Sequence, residues 1–129
     1  MLKILTASEI AKLDQIHLKR EGFSNHAFME LVAQCFVAWF QKQRFPSTTS
    51  VMVCAGAGNN GGDGLAVARI LFSLGFPVEV AICFSAEANL SADCKQNLSL
   101  LPKQIPTYPL ESPLLSKGGI LIDAYLGIG

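Results

Sequence analysis

An apolar run, Ser50-Val51-Met52-Val53-Cys54-Ala55, leads directly into Gly56-Ala57-Gly58-Asn59-Asn60-Gly61-Gly62-Asp63-Gly64, and Leu65-Ala66-Val67-Ala68-Arg69-Ile70-Leu71 follows with helical spacing. A buried strand that enters a glycine-dense turn at the head of a helix constrains the fold more than any other feature of the chain. It is the arrangement by which an α/β protein offers backbone N–H groups to an anion. Glycine suits such a turn because the chain bends sharply, with positive φ at some positions. It also lets a ligand approach backbone that carries no Cβ. Asn59, Asn60 and Asp63 add polar side chains to what would otherwise be a bare phosphate loop.

The flanking sequence alternates helix and strand signals. Thr6-Ala7-Ser8-Glu9 has the form of a capping box, so a helix is expected from Ala7, with Ile10, Leu13 and Ile16 on one apolar face and Gly22 as its stop. A second helix is expected from after Ser24 to about Gln43, with Phe28, Met29, Val32, Phe36 and Phe40 at helical spacing. Beyond the glycine run the pattern predicts a helix ending at Leu74-Gly75, a strand over 78–84 and a helix over about 91–101. A short strand at Thr107-Tyr108 and a buried strand over 119–124 follow, the latter delivering Asp123 at its carboxyl end.

Near-continuous apolar strands between helices imply an α/β fold, a Rossmann-like three-layer sandwich around a mostly parallel sheet covered on both faces. In a doubly wound order the strands at 50–55 and 119–124 are neighbours, which sets the glycine run and Asp123 across one cleft. Residues 123–129 enter a second glycine loop with no helix behind it. The chain therefore reads as one partial domain truncated after its fourth strand, since a self-contained form would leave a flat apolar edge exposed.

Composition narrows the function classes. Half of the 129 residues are hydrophobic and 16% are charged, as in a compact domain. Ten basic residues balance ten acidic ones, which gives no reason to expect nucleic acid or an anionic membrane as partner. No apolar run approaches the ~18 residues of a membrane span. Cys35, Cys54, Cys83 and Cys94 show no Cys-x-x-Cys spacing, and the first three sit in apolar runs as small hydrophobes. A zinc site is not expected, and a reducing, cytoplasmic setting is.

Residues 56–61 satisfy the pattern G-x-G-x-x-G, yet the acidic ribose ligand about twenty residues on is poorly placed, with Glu79 inside a strand and Glu87 past its end. No Gly-Lys-Ser/Thr follows, so the run is not a Walker A loop. Asp63, taken as a first-turn residue, would repel a bare phosphate unless it caps the helix, bonds a ribose or shares a cation. Asp123 can cap a following helix or serve the site, and Asn59 and Asn60 can be turn residues or ligands. His17 and His26 are not expected in catalysis, Asp14 and Arg69 are expected to face solvent, and Trp39 to lie in the core or a dimer surface.

Ala55 to Arg69 resembles the signature of the NAD(P)H-hydrate epimerase (YjeF N-terminal) family, and Asp123-Ala124-Tyr125-Leu126-Gly127-Ile128-Gly129 is similar to its second motif, Asp-Ala-x-x-Gly-x-Gly. Thr6, Leu13-Asp14 and Met29-Glu30 match its helical N-terminus. The chain departs from the family at Leu31-Val32-Ala33, where Asn-Ala-Gly is usual, and at Ile128, where threonine is common. The resemblance implies an isomerase of nicotinamide-cofactor repair that interconverts the S and R epimers of hydrated NADH or NADPH, with no redox cofactor. It implies potassium held by Asn60 and Asp123, and substrate bound by Asn59, Asn60, Gly61, Gly62, Asp63, Gly127, Ile128 and Gly129. Asp123 is the best catalytic candidate within the chain. A homodimer and a fused or separate ADP-dependent dehydratase are the implied partners. Two rivals stand beside this reading: a non-catalytic scaffold or nucleotide-binding module of the same fold, and a hydride-transferring dehydrogenase.

Overall fold

The capping box sets the start of the first helix in the computed structural model of the chain, which describes residues 6–109 and 119–127. Helix α1 (Ala7–Glu21) begins where Thr6 Oγ1 accepts from Glu9 N at 3.3 Å and Glu9 Oε2 accepts from Thr6 N at 2.9 Å. It ends at Gly22, whose φ of 71° is the left-handed conformation that halts a helix. Helix α2 (Asn25–Lys42) is capped by Ser24, whose Oγ accepts from Ala27 N at 3.1 Å. Then come β1 (Val51–Ala55), α3 (Asn59–Ser73), β2 (Val78–Ile82), α4 (Ala92–Ser99), β3 (Thr107–Pro109) and β4 (Ile120–Ala124). Ser91 caps α4 by accepting from Cys94 N at 3.1 Å.

All strand pairs are parallel, in the order β3-β2-β1-β4. The neighbours expected at the centre are present: β1 pairs with β4, with Cys54 opposite Asp123 and Ala55 opposite Ala124. Val51, Val53 and Ala55 alternate onto the face covered by α3, where Leu65, Ala68 and Leu71 are fully buried against them. Helices α2 and α4 flank α3. The described residues supply the helical layer on this face. On the other face Leu121 is 52% exposed and Asp123 is exposed.

The helix after β1 starts at Asn59, six residues before the expected Leu65, so Asn59 to Gly64 is helical rather than a loop. Among the described glycines, positive φ occurs at Gly22, Gly75 and Gly119, none of them in the run. What the run needs is the missing Cβ. A Cβ on Gly56 would lie 1.9 Å from Tyr125 O, on Gly61 1.8 Å from Gly56 O, and on Gly64 2.4 Å from Ala124 Cβ. The first turns of α3 thus sit directly on the ends of β1 and β4.

Other expectations shift in detail. On α2 the buried residues are Met29, Ala33, Val37 and Phe40, while Val32 is exposed, so the stripe is rotated from the one anticipated. Ile10, Leu13 and Ile16 of α1 are 40–61% exposed, because the helix turns Leu18 inward instead. Cys35 is exposed rather than packed, and strand β2 stops at Ile82 rather than residue 84.

Candidate functional site

A cleft of about 1220 Å³ opens at the carboxyl ends of the strands. Helix α1 walls it with Asp14 and Leu18, α2 with Phe28 and Met29, and α4 with Asp93. Its floor is Ala57, Gly58, Asn59, Asn60 and Asp63 on one side and Tyr125, Leu126 and Gly127 on the other, with Cys83 at the end of β2.

The two glycine-containing segments meet through defined bonds. Gly56 N donates to Ala124 O at 3.0 Å, and Asn60 Nδ2 donates to Leu126 O at 2.7 Å across 66 residues of sequence. The Asn60 carbonyl oxygen is left as the acceptor of that side chain. The N-cap of α3 is Gly58, which has no side chain to satisfy the helix start. The first intrahelical bond runs from Gly62 N to Gly58 O at 3.1 Å, so the N–H groups of Asn59, Asn60 and Gly61 precede the ladder. The run anticipated as a glycine loop is thus a helix end without a side-chain cap.

Asp63 stands one full turn inside α3 and therefore neither caps the helix nor occupies its first turn. Burial pushes its carboxyl up to about 6, and the nearby Asp93 carboxylate adds to the rise. Asp93 was not singled out from sequence, since only the packing of α4 against α3 brings it there. Gly62 permits that packing, because a Cβ on it would meet Cys94 N at 3.1 Å and Met29 Sδ at 3.2 Å. Ser91 N donates to Ala57 O at 3.0 Å and ties the α4 entry to the same loop.

Asp123 lies beside this cleft rather than among its lining residues. It is on the open face of the sheet, and its Oδ1 accepts from Tyr125 N at 2.9 Å, a bond that shapes the turn after β4. The Cys83 thiol is raised to about 11, chiefly by burial, then by the Cys54 thiol beside it and by the Asp123 charge. Cys54 is likewise raised, with burial the main cause. Gly61 and Gly62 are buried in α3 and serve its packing, while Ile128 and Gly129 lie outside the described residues. Asp14, although exposed, lines the cleft. Arg69 is not a solvent-facing side chain: its Nη2 donates to Glu30 Oε2 in an ion pair that joins α3 to α2. Among the described residues no three His, Cys, Asp or Glu side chains gather as a metal centre. The side-chain oxygens nearest the second motif are the Asn60 amide oxygen and the Asp123 carboxylate, the latter already accepting from Tyr125 N.

The model of the family of YjeF-related protein N-termini matches residues 25–129. The chain is 36% identical over 123 residues to the bifunctional NAD(P)H-hydrate repair enzyme Nnr of Coxiella burnetii, covering 94% of this chain and 24% of that protein. It is 32% identical over 126 residues to an NAD(P)H-hydrate epimerase of Limosilactobacillus fermentum, covering 97% and 59%. The crystal structure of the yeast protein ynu0 superposes with a TM-score of 0.68 at 26% identity, over 98% of this chain and 58% of that one. The chain thus spans little more than half of the single-function relative and about a quarter of the bifunctional one.

Proposed function

Because the chain belongs to the family of YjeF-related protein N-termini, we propose that its activity is the epimerisation of hydrated NADH and NADPH, interconverting their S and R forms. The observation that carries this reading is the bond from Asn60 to Leu126 O, which holds the two motif segments together at the mouth of one cleft. In this reading the pyrophosphate lies against the uncapped N–H groups of Asn59 and Asn60 and the backbone at Gly127. Asp63 bonds the ligand through a carboxyl that burial keeps partly protonated near neutral pH. Phe28, Met29 and Leu18 offer an apolar wall to a ring.

Inversion at the hydroxylated ring carbon requires the transient loss and return of hydroxide or of a ring proton, so charge develops at the ring. A fixed carboxylate beside the cleft can stabilise the developing positive charge, and Asp123, oriented by Tyr125 N, is the residue proposed for it. Potassium is proposed at Asn60 and Asp123, whose oxygens fit such an ion. When bound it supplies positive charge that screens Asp123 from the substrate phosphates.

The test is direct. Hydrated NADH enriched in one epimer is incubated with the intact protein and the other epimer followed by chromatography. Interconversion faster than in buffer alone, lost in Asp123→Ala and Asn60→Ala variants that keep their circular dichroism, is the expected result. No acceleration by the wild-type protein overturns the reading.

A homodimer belongs to the same proposal. Ile10, Leu13, Ile16, Val32 and Trp39 are 40–61% exposed on the two N-terminal helices, an apolar surface suited to a second copy. A dehydratase, fused or separate, is the proposed functional partner. The proposed setting is cytoplasmic, with four free thiols and, among the described residues, no helix long and apolar enough to cross a membrane.

A further inference from the structure

The turn after β4 carries an aromatic side chain to which the proposed reaction gives no task. Tyr125 lines the cleft and is 47% exposed, beside Leu126 at 75%. Its backbone, by contrast, is held at every step. Ala124 O accepts from Gly56 N at 3.0 Å, Tyr125 N donates to Asp123 Oδ1 at 2.9 Å, and Leu126 O accepts from Asn60 Nδ2 at 2.7 Å. The Tyr125 carbonyl lies so close to Gly56 that a Cβ there would come within 1.9 Å of its oxygen. A phenol ring on so fixed a backbone has only its side-chain torsions left to lose, so ordering it against a ligand costs little. Binding clefts set such rings against flat ligand groups, where the π face contributes beyond the area it buries.

Which ring Tyr125 meets follows from the turn itself. Asp123 and Tyr125 are two residues apart and joined by the bond from Tyr125 N. A ligand group brought to the Asp123 carboxylate is therefore brought beside Tyr125 as well. Hydration of the dihydropyridine removes one double bond and leaves the other conjugated with the ring nitrogen and the carboxamide. A flat, polarised segment remains, suited to a phenol face. We infer that Tyr125 is the platform on which the hydrated nicotinamide ring rests, setting its hydroxylated carbon toward Asp123. The inference rests on the proposed reading that this cleft binds the hydrated dinucleotide with Asp123 at that carbon. Loss of a contact of this kind weakens binding of the ring by about five- to tenfold.

The probes are hydrated, reduced nicotinamide mononucleotide, which has the ring without adenine, and ADP-ribose, which has adenine without the ring. Both are titrated calorimetrically into the intact protein and into its Tyr125→Leu and Tyr125→Phe variants, which keep the backbone bonds of the turn. Tyr125→Leu is expected to weaken the mononucleotide by about five- to tenfold and leave ADP-ribose unchanged, while Tyr125→Phe keeps both affinities. Proton NMR gives a second readout. The hydrated-ring protons are expected to move upfield on binding to wild type and Tyr125→Phe, and not on binding to Tyr125→Leu. Equal affinity of Tyr125→Leu and wild type for the mononucleotide, or no binding of it by either, overturns the inference and leaves the dinucleotide reading to stand on ADP-ribose. A loss confined to ADP-ribose puts adenine on the platform and overturns the inference as well. So does a loss shared by both probes, the mark of a merely structural role. Tyr125→Phe as weak as Tyr125→Leu assigns the effect to the hydroxyl and overturns the platform. Binding of neither probe by the wild-type protein overturns inference and reading together. The expected binding pattern without epimerisation upholds the platform and overturns the proposed reaction.

Discussion

Replacing Gly64 by alanine tests whether the glycine run is a packing device. In an exposed helix interior Gly→Ala stabilises by about 1 kcal/mol. At Gly64 the new Cβ would lie 2.4 Å from Ala124 Cβ and 3.2 Å from Val53 Cγ1, where contacting carbons need roughly 3.5–4.0 Å. Neither neighbour can swing away: Ala124 has only its Cβ, and Val53 is fully buried in β1. Helix α3 must therefore lift off the sheet, and overpacking of this kind costs about 3 kcal/mol at the upper end of its usual range. Set against the helical gain, the net destabilisation is about 2 kcal/mol. For a cooperative unit of 129 residues that lowers Tm by about 7 °C. The assay is urea and thermal unfolding of the intact protein, with Gly64→Ala/Ala124→Gly as the partner variant. Removing the opposing methyl should return stability to within about 1 kcal/mol of wild type, a strong non-additivity between touching sites. A Gly64→Ala protein as stable as wild type would refute the reasoning.

Three further outcomes follow from the site. Asp63 has a folded-state pKa of about 6 against an ordinary 3.8, so its favourable contribution is complete below about pH 3.8 and lost as pH rises through about 6. After discounting for its partial exposure, Asp63→Asn should stabilise by roughly 1–2 kcal/mol at pH 7.5 and much less at pH 4.5, measured by urea unfolding at the two values. Asn60→Ala removes the bond to Leu126 O and should cost about 1 kcal/mol while speeding amide hydrogen exchange at residues 125–127. Glu30→Ala leaves the Arg69 guanidinium, whose Nε is already buried without a partner, with no counter-charge. A loss of about 1–2 kcal/mol in chemical denaturation is expected, largely recovered by Glu30→Asp.

What the sequence made legible was local. Thr6, Ser24 and Ser91 announce their helices because a cap acts within three residues, and the apolar runs of β1 and β4 mark buried parallel neighbours. The start of α3 was illegible for a physical reason. Glycine opposes helix by about 1 kcal/mol per residue, so Gly61, Gly62 and Gly64 read as loop until the surfaces they fit are in place. The Arg69–Glu30 pair, 39 residues apart, and the approach of Asp93 to Asp63 depend on how α2 and α4 flank α3. Periodicity showed that Ile10, Leu13 and Ile16 share a face of α1, but not that this face turns outward.

The measurement closest to the central claim is amide chemical-shift mapping of the isotope-labelled intact protein titrated with hydrated NADH. The account predicts that the amides of Asn59, Asn60 and Gly61 move together with those of Leu126 and Gly127, saturating at one ligand per chain. Shifts confined to other surfaces, with both segments silent at saturation, would contradict it.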